Sequence, residues 1–157
     1  EFDQETAATR RLLARAPEAD FAWRPHDKSF TLGGLCTHLA TIPHWGEQIL
    51  GRDGYDLVAD AVPRNTALTT PADVLATFDR HVSAARAALV AAGDAGVSAP
   101  WSLRRDGTTL FTQPKLGAFR TFVLSHLIHH RGQLTVYLRL RDVPLPPVYG
   151  PTADEGM

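Results

Sequence analysis

The sequence contains a single cysteine, Cys36, in 157 residues. No disulfide can close within the chain, and a reducing compartment, the cytoplasm, is the expected location. No apolar run approaches the roughly 20 residues that span a bilayer, and the start of the sequence shows no signal-peptide pattern. Charge of one sign is also lacking. A net charge of -1 gives no electrostatic pull toward nucleic acid or an anionic membrane. Lysine is scarce: Lys28 and Lys115 stand alone among many arginines, which reads as genome bias. No phosphate-binding loop is present, because Gly33-Gly34 lacks the lysine and the spacing of a P-loop. Repeats and low-complexity tracts are absent too. What remains is an ordinary globular composition, 44% hydrophobic and 21% charged. At this length it predicts one domain, residues 1–157, able to bury a core without disulfides.

Helical periodicity dominates. Residues 1–16 are rich in Ala, Arg and Leu, and Pro17 ends that segment. A second helix starts at a Ser29 or Thr31 cap. It carries Leu32, Leu35, Leu39, Ile42, Trp45 and Ile49 at steps of three and four, with Pro43 placed to kink it. Residues 52–69 read as a long connection. The third helix has a Thr70 cap, Pro71 in the first turn, Asp73 at the positive end and Gly93 to close it. Arg105-Asp106-Gly107-Thr108 reads as a tight turn that could join two short strands around Trp101–Leu103 and Thr109–Phe111. The fourth helix runs from about Pro114 to Leu140, and a proline-rich tail follows from Val143. Four long helices with little strand predict an all-α fold, a four-helix bundle with one long crossover connection.

The chemistry lies in the histidines. His126 and His130 are one helical turn apart and so share a side of the fourth helix. The apolar seam there reads Phe119, Val123, His126, His130, Gln133 or Leu134, and Tyr137. In the second helix the seam reads Leu35, His38, Ile42, Trp45 and Ile49. Three imidazoles stand where core leucines are expected, and from facing helices they could meet at one point. Neutral imidazole suits Zn, Ni, Fe or Cu. Three protein ligands with the fourth position left to water form an open, catalytic arrangement. The competing reading is three hydrogen-bonded core histidines with no metal. His129 points about 100° away from His130 and reads as exterior, with His126 and His129 as a weaker ligating pair. His26, His44 and His81 read as surface histidines or local hydrogen-bond partners, and Cys36 as a small buried hydrophobe. Arg131 is placed to pair with an acidic group or an anionic substrate, or to form a surface salt bridge.

Three stretches carry a family resemblance. They are Trp23-Arg24-Pro25 leading to Ser29-Phe30-Thr31-Leu32-Gly33 and on to His38; His126-Leu127-Ile128-His129-His130-Arg131-Gly132-Gln133-Leu134; and the tail Val143 to Pro151. On these the chain resembles the DinB family, DinB/YfiT-like bacterial metal-binding four-helix bundles. The resemblance implies His38, His126 and His130 as metal ligands, commonly for Zn or Ni, and a homodimer. One departure is Gly34, where relatives often carry Glu, which bears on helix capping. Some relatives transfer thiols such as bacillithiol, mycothiol or glutathione, and some isomerise maleylpyruvate with a thiol cofactor. The resulting expectation is a metal-dependent thiol S-transferase acting on a small-molecule electrophile. The alternatives are a metal-dependent hydrolase and a non-catalytic stress-response protein with a structural metal.

Overall fold

The computed structural model describes residues 1–61 and 67–156. The helices are α1 (Phe2–Leu13), α2 (Leu32–Thr41), α3 (His44–Leu50), α4 (Pro71–Ser98), α5 (Lys115–Phe119) and α6 (His126–Arg139). A π-helical segment, Arg120–Ser125, joins α5 to α6 without a break. Pro43 does more than kink the second helix: it separates α2 from α3. The four rods of the bundle are therefore α1, α2–α3, α4 and α5–α6. Thr31 caps α2 by accepting from the Gly34 amide, and Thr70 caps α4 by accepting from the Asp73 amide. Gly93 takes a left-handed backbone (φ 57°), and the chain then resumes helix as far as Ser98. Leu12, Leu35, Leu39, Phe78, Phe119 and Leu127 pack together in the core. None of the described helices is long and apolar enough to cross a membrane.

The all-α expectation is wrong. Beside the bundle lies a three-stranded mixed sheet, β1 (Gly54–Asp56), β2 (Pro100–Arg105) and β3 (Thr108–Pro114), in the order β1-β2-β3. The β2–β3 hairpin is the one read from the sequence, with Asp106 (φ 49°) and Gly107 (φ 75°) forming its turn. The parallel strand β1 lies inside the stretch read as a loop over 52–69, of which 62–66 fall outside the described residues. Gly54 permits its pairing, since a Cβ there would stand 2.6 Å from the Ser102 carbonyl oxygen. A three-residue strand paired across almost fifty positions leaves no local periodicity to read.

Asp56 fastens this sheet. Its buried carboxylate accepts from the amides of Val58 (2.8 Å), Ala59 (3.2 Å), Asp106 (3.0 Å) and Gly107 (2.8 Å). These bonds, the one from Gly107 foremost, pull its pKa down to about 2. A carboxylate depressed in the folded state adds stability above its ordinary pKa and loses it as pH falls toward the depressed one. Asp56→Asn should therefore lower stability at neutral pH. It should also flatten the acid dependence of unfolding between about pH 4 and pH 2, followed by circular dichroism. An unchanged acid profile would contradict this role.

The tail packs on α1 and α6. Arg139 pairs with Asp154 (2.6 Å), Arg15 with Glu155 (2.5 Å), and Arg11 donates to the Pro147 carbonyl (3.2 Å).

Candidate metal centre

His38 on α2 faces His126 and His130 on α6. Ring centroids are 4.9 Å apart for His38–His126, 4.5 Å for His38–His130 and 4.8 Å for His126–His130. One ring nitrogen from each lies within 4.8 Å of the other two, so the group could hold a metal ion. His38 Nε2 and His126 Nε2 are 3.2 Å apart. Two nitrogens bound at 2.0–2.1 Å to one tetrahedral zinc lie about 3.3 Å apart, so the spacing fits a shared ion. His130 Nδ1–H donates to Gln133 Oε1 at 2.7 Å, which fixes the tautomer that leaves Nε2 free as a ligand.

The electrostatics favour neutral rings, the form that ligates. Burial lowers the His38 pKa to about 4, with the neighbouring His130 and His126 adding to the effect. Burial also lowers His126 and His130. A hydrogen bond to the Phe122 backbone partly offsets this for the first, and the Gln133 bond does so for the second.

Placement differs from the sequence reading in one respect. The three histidines are not in the core stripe but half-exposed along its border. The stripe itself runs through Phe119, Val123, Leu127, Leu134 and Leu138. The π segment accounts for the shift, because its wider turn rotates α6 relative to an uninterrupted α-helix. It leaves Leu127 on the core side and the imidazoles at the edge.

The remaining candidates separate cleanly. His129 is exposed and outside the group, which removes the His126–His129 pair. His81 Nδ1 meets the Ala40 carbonyl at 3.0 Å, and His26 Nδ1 accepts from the Lys28 amide at 3.1 Å. Glu47 is exposed, 3.8 Å from His44, and is not part of the group. Cys36 is fully buried, and burial pushes its thiol up to about 12. Arg131 takes an acidic partner, one of the alternatives read from the sequence, and does so in the interior. It is buried against Glu5 of α1 at 2.7 Å, with Tyr149 of the tail bonded to both partners. Gln133 sets the His130 ring, and its signal in the sequence is the i,i+3 step from His130.

A four-helix bundle with three imidazoles gathered between two of its rods defines a class of candidate metal-binding bundle proteins. The chain belongs to the DinB family, whose model matches residues 1–156. It is 26% identical over 157 residues, 98% of this chain and 87% of the relative, to the uncharacterized protein YrdA of Bacillus subtilis (strain 168). Its fold is similar to that of a DinB-like protein of Bacillus subtilis, YjoA, with a TM-score of 0.73, 17% identity, and coverage of 94% of this chain and 93% of that one. A DinB-like protein of Bacillus cereus ATCC 10987 gives 0.70 at 20% identity, covering 94% and 92%.

Proposed function

We propose that this protein is a metal-dependent enzyme that transfers a low-molecular-weight thiol to a small electrophile, with His38, His126 and His130 as ligands of a zinc or nickel ion. The observation that carries the reading is a group of three partly buried imidazoles whose ring nitrogens lie within 4.8 Å of one another. Among the described residues no carboxylate or thiol joins them. Three protein ligands on an accessible face leave an exchangeable position, as catalytic sites do and structural sites do not. An ion held there supplies Lewis acidity, which lowers the pKa of a thiol or water entering that position. The chain's own part is to hold the rings: Gln133 orients His130. In the reaction a C–S bond forms, the leaving group departs with the electron pair of the bond it breaks, and the thiol proton passes to solvent. The proposed setting is cytoplasmic, as the single cysteine suggests, and the proposed assembly a homodimer, as the family resemblance implies.

The test combines zinc- or nickel-loaded protein, a thiol (glutathione, bacillithiol or mycothiol) and an alkyl halide or epoxide. Thiol loss should require both the metal and His38. No metal-dependent loss across the panel would remove the thiol-transfer reading. Turnover of an ester or amide without thiol would instead place the protein among metal-dependent hydrolases.

A further inference from the structure

The solvent-open residues along the seam between α2–α3 and α5–α6 form a row of rings. Phe30 stands at one end. It stacks on His38 with centroids 5.6 Å apart and planes at 25°, and presents its edge to His130 at 6.3 Å. Half of it, 50%, is exposed. Burying a phenyl ring is favourable, so a fixed, half-exposed ring forgoes much of that gain. Its position is also fixed, because the Tyr137 hydroxyl donates to the Phe30 carbonyl at 3.1 Å and Thr31 next to it caps α2. Further along, across the Pro43 break, stands Trp45 on α3. It lies 6.3 Å from Phe122, on which Phe111 stacks at 6.2 Å and 9°. Trp45 and Phe122 are half-buried, and Phe111 is 38% exposed. Phe30 therefore forms an apolar shelf beside His38 and His130, whereas Trp45 and Phe122 pack against the core. Among the described residues none of the three is in an ion pair; His44 is the histidine that is.

We propose that this row binds the unreactive part of the substrate, that this part is uncharged and aromatic, and that Phe30 sets the preference for it. The assignment of that substrate as the electrophile rests on the thiol-transfer reading, whereas the binding surface does not. Rings of this kind favour offset or edge contacts with another ring, worth about 0.5–1.5 kcal/mol beyond burial. An aromatic group beside the histidines would meet the exposed Phe30 ring. A neutral group gains here what a charged one would lose to desolvation.

The probe is N-phenyl-1-naphthylamine, a neutral aromatic fluorophore that is neither thiol nor electrophile, titrated into zinc-loaded full-length protein. Wild type should bind it. Phe30→Ala should weaken binding about three- to tenfold, since 1.4 kcal/mol is a factor of ten. Phe30→Leu, which keeps an apolar side chain and carries the comparison if the alanine variant is unstable, should fall between. Equal affinity in wild type and both Phe30 variants, or no binding to wild type, would overturn the proposal. The two readings fail separately. Phe30-dependent probe binding without any thiol turnover ends the transfer reading and leaves the aromatic surface. Turnover of benzyl and short alkyl halides at ratios of kcat/KM that Phe30→Ala does not change ends the surface and leaves transfer.

Discussion

Alanine at His38, His126 or His130 is expected to weaken zinc or nickel binding by more than about 100-fold, each substitution alone. Loss of a residue that merely orients a ligand costs 10–100-fold, so loss of the ligand itself should exceed that. Gln133→Ala, which frees the His130 ring but removes no donor, should fall within the smaller range. Calorimetric titration of metal-free protein measures both effects. Melting gives a second readout, because an ion that binds only the native state raises stability by about 2.7 kcal/mol at one hundred times its dissociation constant. That increment should vanish in all three alanine variants. The histidines are half-exposed at the edge of the core, so the variants should still fold. Full-strength binding in any one of them would show that its imidazole is not a ligand.

The largest expected loss of stability comes from Arg131→Ala. The guanidinium donates to the Glu5 carboxylate (2.7 Å), the Glu5 carbonyl (3.1 Å) and the Tyr149 hydroxyl (2.5 Å), and its carbon lies 5.0 Å from the Tyr149 ring centre. Arg131 is 2% exposed and Glu5 8%. Removing one partner of a buried ion pair leaves an uncompensated charge and costs about 3–5 kcal/mol. In a chain of this size that is a fall of about 10 °C in Tm. Replacing both partners, Glu5→Leu with Arg131→Met, should recover most of the loss, because the stranded charge is then gone. If the double variant melts as low as the single one, the pair is not acting as an isolated charge couple. The pair also bears on the site. Arg131 follows His130 directly and points about 100° around the helix from it. Anchoring Arg131 to α1 fixes the rotation of α6 and so the direction in which His126 and His130 face.

What the sequence made legible is what local physics encodes. The caps at Thr31 and Thr70, the Asp106-Gly107 turn and the hydrophobic steps of the helices are short-range signals, and each has its counterpart in the structure. The three histidines could be picked out together because each recurs at a helical step among apolar neighbours, and the structure brings the same three together. Three features were hidden, each for its own reason. Strand β1 is three residues long and its partner β2 is distant in sequence. The π segment changes the phase of α6 by geometry alone, with no marker residue. For Arg131 the sequence offers an acidic partner without saying which, because Glu5 and Tyr149, more than a hundred residues apart in sequence, close around it only in the fold.

X-ray absorption spectroscopy of the untagged protein loaded with one equivalent of zinc tests the metal centre most directly. The account predicts three imidazole nitrogens at about 2.0–2.1 Å and a further oxygen or nitrogen neighbour from an exchangeable ligand. The imidazole signal should disappear in the triple variant His38→Ala, His126→Ala, His130→Ala. A sulfur neighbour at about 2.3 Å, which would bring in Cys36, or an unchanged spectrum in the triple variant, would contradict it.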